Sequence, residues 1–239
     1  MMETGTRIRF GMEIEHLRER LVLMGSTADE MVAAAVEALV TQNAEVIETV
    51  INRDTVMDDL DREVEADALL MLATRQPVVG SDLRFVSATL KAITDLERIG
   101  DLAVNIARTA QRMAEDGIRY EAVTDMRRFG GIAQRMLRES MDAIVRHDSD
   151  LARDVIDSDD EADVMYREAQ RELRRLMQEP ARADDPNRPV RASYLLFVAH
   201  YLERICDHCT NIAERVIFAE TGDVVVPVRS ATNGSLPVR

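Results

Sequence analysis

The fourteen residues TDLERIGDLAVNIA, Thr94 to Ala107, recur as HYLERICDHCTNIA, His200 to Ala213, with eight positions identical. The shared residues are Leu, Glu, Arg, Ile, Asp, Asn, Ile and Ala, in the same order and spacing. Upstream, VINRDTVMDDLDRE (50–63) aligns with VIDSDDEADVMYRE (155–168) at six of fourteen positions. Further up, Met31, Ala38 and Val40 match Met136, Ala143 and Val145. Matches that hold one offset, about 105 residues, along most of a chain mark a duplicated unit roughly a hundred residues long.

Each unit reads as three helices. Apolar residues make up 46% of the 239, aromatics 4%, and Trp is absent, a composition of helices packed on helices with only six prolines to interrupt them. In the first unit apolar residues recur at helical spacing from about Ile14 to Ile51, with a break expected near Met24-Gly25-Ser26. A second helix is expected from about Asp54 to Ala73. Pro77, Gly80 and an N-cap at Ser81 or Asp82 separate it from a third, about Leu83 to Glu115, which stops at Asp116-Gly117. The second unit's helices are expected at about 122–148, 151–178 and 190–220, with the loop PARADDPNRP before the last. The expected fold is all-α: two tandem, similar three-helix bundles over 1–117 and 118–221, with 222–239 as a mobile tail.

The net charge is −14, and no basic run exceeds two residues although 29 arginines are present. Such a chain is ill suited to binding nucleic acid through its phosphates, and much of the acidic excess reads as solvated helix surface. No apolar run approaches the length of a membrane span, and the N-terminus has no positive, apolar, cleavable sequence. A soluble, cytoplasmic chain without membrane insertion is expected. Cys206 and Cys209 form Cys-x-x-Cys within a helical pattern. A redox pair needs a strand-to-helix context and a closed zinc site needs four ligands, so both read as small core residues.

The packed seam of the third helix runs Val86, Leu90, Ile93, Glu97, Gly100, Val104, in steps of four and three. Glu97 stands in its middle. Asp101 and Asn105 follow at four-residue steps on the flank of the same face. The second unit repeats the pattern as Ala192, Leu196, Ala199, Glu203, Cys206, Thr210, with Asp207 and Asn211 beside it. The second helices add matching pairs, Asp54 with Asp58 and Asp159 with Asp163. Acid-x-x-x-Asp therefore occurs in four corresponding places. Carboxylates gathered away from water favour protonation, and protons, arginines or a metal would relieve them. Arg98 and Arg204 directly follow the glutamates but, 100° around the helix, need not point into the seam. A single such acid reads as a seam-edge residue paired with an arginine of a neighbouring helix. Four pairs duplicated in register read more readily as oxygen ligands for a metal.

The stretch QPVVGSDLRFVSATLKAITDLERIGDLAVNIA, Gln76 to Ala107, resembles the first signature of the PhoU family of bacterial phosphate-regulatory proteins. YLERICDHCTNIAERVIF, Tyr201 to Phe218, resembles its second, and the resemblance spans about residues 10 to 220. It implies two three-helix bundles bearing multinuclear metal clusters, of iron or else of zinc, manganese or nickel. Carried over by position, Asp54, Asp58, Glu97 and Asp101 would hold one cluster, and Asp159, Asp163, Glu203 and Asp207 the other. Asn105 and Asn211 would be further ligands or supporting donors. The resemblance also implies a negative regulator of phosphate-starvation genes and a modulator of phosphate uptake. Such a protein is an adaptor between the phosphate-specific ABC transporter and a sensor histidine kinase, a homodimer, and peripheral at the inner face of the membrane through those partners. One departure stands out. The Asp-Leu-Arg that follows Pro77 in the first unit has no counterpart in PNRPVRAS of the second.

The competing reading is a carboxylate-bridged di-metal oxidase or ferritin-like storage bundle. That chemistry needs two Glu-x-x-His motifs in one bundle. Only Glu13-Ile14-Glu15-His16 fits, and His16 reads as a surface residue. A metal-free helical scaffold is the third reading. Nothing in the sequence resembles a nucleophile–base pair or a glycine-rich phosphate loop, so an enzyme is not expected.

Overall fold

The computed structural model describes residues 2–74, 80–180 and 185–225, with side chains from residue 11 onward. Six helices account for nearly all of it: α1 Met2–Thr41, α2 Ala44–Thr74, α3 Gly80–Glu115, α4 Met126–Arg146, α5 Ser149–Gln178 and α6 Arg188–Thr221. The fold is all-α, two similar three-helix sets in tandem, as the repeat leads one to expect.

The break expected at Met24-Gly25-Ser26 does not occur; α1 runs straight through it. Gly25 is buried, and a Cβ there would lie 2.7–2.8 Å from the Met141 side chain on α4. The glycine lets two helices approach and does not end one. α1 stops instead at Gln42, which takes a left-handed conformation (φ 52°). Asn43 then caps α2, its Oδ1 accepting from the Glu45 N–H at 2.8 Å. The second unit turns the same way. His147 (φ 55°) ends α4, and Asp148 accepts from the N–H groups of Asp150 and Leu151 at 3.0 and 2.9 Å. α3 starts at Gly80; residues 75–79 and 181–184, which hold Pro77 and part of the second expected loop, lie outside the described residues.

α2 packs on α1 and α3, and α5 on α4 and α6, while α1 meets α4 and α3 meets α6. Four inner helices are thus flanked by α2 on one side and α5 on the other. α3 and α6 bury residues on more than one face, because each serves its own set and the contact between sets. The buried side chains form one continuous cluster from Leu17 to Ile217. Cys206 and Cys209 belong to it as free, fully buried thiols, and burial pushes both of them well up, so they are packing residues.

Two arginines lock the sets together. Arg84, from the Asp-Leu-Arg stretch, donates its Nε–H to the Ala219 carbonyl at 3.0 Å, holding the last turn of α6 from the start of α3. Its equivalent in the second unit is Val190, but the next residue, Arg191, does the corresponding work. Arg191 is 5% exposed and donates Nε–H to the Arg119 carbonyl, just beyond α3, at 2.8 Å. Its two Nη groups fork onto Asp185 at 2.8 and 3.0 Å, and Nη1 also reaches Glu121 at 2.9 Å. The motif missing from the second unit is therefore a one-residue shift of the arginine. Of the expected tail, Val225 packs on the core, and residues 226–239 lie outside the described residues.

Candidate metal centres

α2 presents Asp54 and Asp58 one turn apart, and α3 presents Glu97 and Asp101 likewise, with Asn105 a turn further on. Mutual repulsion shows that these acids share one locality. Asp54 is raised above the usual carboxylate range by burial, then by Asp58 and Asp101, against Arg108. Glu97 is raised by burial, then by Asp101, with Asp61 and Asp58 adding to it and Arg98 opposing. The Glu97 side chain is 26% exposed, so it lies at the edge of the seam whose members Val86, Ile93, Gly100 and Val104 are buried.

The second group is drawn tighter. Asp159 is pushed up to about 6 by burial, then by Asp207, Asp163 and Asp160. Asp207 is pushed up to about 6 by burial and Glu203, against His208. Glu203 is raised by burial, Asp163 and Asp159. Asp207 is exposed on its outer side, where solvent screens it, so Asp159 carries the firmer shift.

Nearby cations relieve part of this repulsion, and they come from the acids' own helices. Arg98 Nη1 lies 3.1 Å from Asp101 and its Nε 3.5 Å from Glu97; Arg167 lies 3.2 Å from Asp163. With these side chains so turned, no three His, Cys, Asp or Glu residues converge closely enough to hold a metal ion among the described residues. Asn211 points across the contact between sets, its Nδ2 donating to Asp95 at 3.1 Å beside His208 Nδ1 at 2.8 Å. Asn105 is half-buried, and its carbonyl accepts from the Thr109 hydroxyl at 2.7 Å. His16 is a surface residue, its side chain 58% exposed.

Asp61 joins the first group without having been foreseen. It is raised by burial, Glu65 and Asp58, and it bears in turn on Glu97. The available signal was its position one turn beyond Asp58 on the same stripe of α2. Repeat matching hid it, because its equivalent is Tyr166.

The chain matches the family model described as "PhoU domain" twice, over residues 21–110 and 126–216. The chain belongs to the PhoU family. Each PhoU domain covers most of one three-helix set, α1 to α3 and α4 to α6. Relatives named "Phosphate-specific transport system accessory protein PhoU homolog" include that of Clostridium acetobutylicum, 35% identical over 92% of this chain and 98% of that protein. The Pseudomonas aeruginosa relative of the same name is 36% identical over 90% of this chain and 86% of its own. The crystal structure of PhoU from Pseudomonas aeruginosa superposes with a TM-score of 0.82 at 35% identity, covering 90% of this chain and all of that one. That of the phosphate transport system regulatory protein PhoU from Streptococcus pneumoniae gives 0.80 at 27% identity, over 91% and 100%.

In the second PhoU domain one buried acid has the character of a cation donor. Glu203 Oε2 is buried and has no hydrogen-bond partner, although His200 Nδ1 stands 3.3 Å away. A buried carboxylate oxygen left unpartnered beside like charges is an opening for positive charge. The four carboxylates of each group are oxygen donors of the type that hard and borderline metals take, although their side chains are not converged here.

Proposed function

We propose that this PhoU protein is a negative regulator of the phosphate regulon and a modulator of phosphate uptake. The observation that carries the proposal is the pair of PhoU domains, one on each three-helix set, in a chain 35% identical over nearly its whole length to a relative named as an accessory protein of phosphate-specific transport. In this role the protein acts without catalysis, as a cytoplasmic adaptor between the phosphate-specific ABC transporter and a sensor histidine kinase. It works as a homodimer and meets the inner face of the membrane through those partners. Among the described residues no helix is long and apolar enough to cross a membrane.

Metal is part of the proposal. Asp54, Asp58, Glu97 and Asp101 would hold one cluster, and Asp159, Asp163, Glu203 and Asp207 the other, with Asn105 and Asn211 as supporting donors. Iron is the first choice, with zinc, manganese or nickel as alternatives. A bound metal would supply the positive charge that these carboxylates lack. The acids themselves would then tie α2 to α3 and α5 to α6, fixing the helix faces offered to partners. To do so Asp101 would have to leave Arg98, Asp163 would have to leave Arg167, and Asn211 would have to leave Asp95.

Deletion tests the regulatory role. Expression of phosphate-starvation genes should rise in phosphate-rich medium, and phosphate uptake should be disturbed. Normal repression in a deletion strain without a paralogue would refute it. Metal analysis of protein purified from its native cell tests the clusters separately.

A further inference from the structure

A cleft of about 20 Å³ opens between α1, α3, α4 and α6, and none of the acid-group residues lines it. Phe85, Ile144 and Val216 give it apolar walls; Thr89, Arg215 and Glu220 are its polar members. The space admits one or two water-sized groups.

Thr89 is 1% exposed, and its Oγ1 has no hydrogen-bond partner. Other helical threonines, among them Thr27, Thr94, Thr109 and Thr221, donate to the carbonyl four residues back. Thr89 does not. Arg215 lines the same cleft, and its Nε is likewise buried and unpartnered. Its guanidinium forms no ion pair among the described residues, and Glu220, the acid in the lining, is engaged by His147 Nδ1 at 2.5 Å. Ala219, which also lines the cleft, has its carbonyl engaged by the Arg84 Nε–H at 3.0 Å. Arg215 therefore lines one small space without a close ion pair among the described residues, its charge acting only on its neighbour Glu214, in a chain of net charge −14.

The repeat shows that helix packing does not demand this arrangement. The residues equivalent to Thr89 and Arg215 are Leu195, fully buried, and Thr109, whose hydroxyl is satisfied by the Asn105 carbonyl at 2.7 Å. Both places lie where the two units meet: one is closed with apolar and satisfied groups, and the other leaves two donors beside a gap. Unmet buried donors cost stability unless an acceptor reaches them.

We propose that the cleft binds a small singly charged acceptor, a halide ion or the terminal oxygen of a carboxylate, held by Thr89 Oγ–H and Arg215 Nε–H. A phosphate dianion fits poorly, because most of its oxygens would face apolar wall without a donor. The site is independent of the metal groups and of the regulatory role proposed above.

The test uses the full chain in thermal melts at constant ionic strength, with chloride or acetate replacing methanesulfonate. Wild type and Thr89→Ser should show a saturable rise in melting temperature. Thr89→Val and Arg215→Gln should bind at least tenfold more weakly, while Arg171→Gln, exposed on α5, should match wild type. Crystals soaked in bromide separate the two sources. An anomalous peak between Thr89 and Arg215 identifies a halide site, and an acetate response without that peak identifies a carboxylate site. A water molecule in the cleft with no response to either anion overturns the proposal, as do equal responses in wild type and Thr89→Val.

Discussion

Gly25 and Gly130 hold the same position in the two repeats, and each receives the side chain that the other repeat sends across. Met141 lies over Gly25, and Val36 lies over Gly130. Val36 and Met141 are themselves equivalent positions, so the two contacts are counterparts about a twofold axis. Asp29 and Gln134, also equivalent, hydrogen-bond to each other at 3.2 Å and therefore straddle that axis.

This close approach predicts an asymmetric response to added methyl groups. A Cβ at Gly130 would stand 2.6 Å from Val36 Cγ2, on a side chain with little rotameric freedom. Gly130→Ala should cost about 1–3 kcal/mol in overpacking, less about 1 kcal/mol gained in helix propensity. Adding Val36→Ala should reveal a coupling of at least about 1 kcal/mol in denaturant melts. Gly131, with nothing within 4 Å, should gain about 0.5–1 kcal/mol on substitution by Ala. Strict additivity of Gly130→Ala and Val36→Ala would show that the helices do not touch there.

The acid groups should behave as cation sites and not as structural ion pairs. Glu97→Gln with Asp101→Asn should leave the metal-free chain as stable as wild type or more so, since what is lost is an exposed pairing with Arg98 worth about 0–1 kcal/mol. The first group should then bind no metal, while the second keeps its share. Glu203→Gln with Asp207→Asn should do the converse. Bound-metal counts beside melts with and without added iron, zinc or manganese decide it; unchanged metal content with a lower metal-free melting temperature would mean the acids serve ion pairs.

Acidity gives an independent check. Asp159 and Asp207 stand near 6 in the folded chain, above the ordinary 3.8, so the folded state holds their protons more tightly than the unfolded state. Stability from this source is lost as pH rises from about 4 to about 6 and stays lost above that. Metal-free protein should therefore melt higher at about pH 5.5 than at about pH 7.5. Asp159→Asn with Asp207→Asn should flatten that slope. A wild-type profile that rises with pH across the same interval would remove the case for strained carboxylates.

The two clasping arginines should differ in weight. Arg191 is 5% exposed and makes contacts to two acids and a carbonyl, so Arg191→Ala should cost about 3 kcal/mol. Among the described residues Arg84 gives one hydrogen bond to one carbonyl, and Arg84→Ala should cost about 1 kcal/mol. Equal losses in urea melts would contradict this.

Much of this was readable beforehand from particular residues. Val86, Ile93, Gly100 and Val104 of the seam are buried where its spacing says, because helical period decides which face packs, while Leu90 and Glu97 lie toward its edge. Gly25 misled, since a glycine that breaks a helix and one that admits a neighbour look alike in one dimension. The repeat held the remedy: the second unit's turn, His147-Asp148, maps back onto Gln42-Asn43, where α1 does end. The acids' shared locality followed from four-residue spacing on two helices. That Asn211 turns to Asp95, and that Arg191 replaces an arginine one position earlier, depend on side-chain reach across the contact between sets, which periodicity does not encode.

An axis between Asp29 and Gln134 has a meaning beyond packing. In a dimer of two identical units, whatever residue stood there would confront its own copy, and two aspartates would repel. A single fused chain is released from that restriction. It sets an acid against an amide, and Arg138 Nη1 stands 3.9 Å from the same acid. The same freedom is visible beside the acid groups, where Gly100 admits Met57 in one half and the equivalent positions hold Cys206 and Ala162 in the other. Covalent joining thus gives this molecule what heterodimerisation gives others, an interface symmetric in backbone whose two sides are free to differ in chemistry.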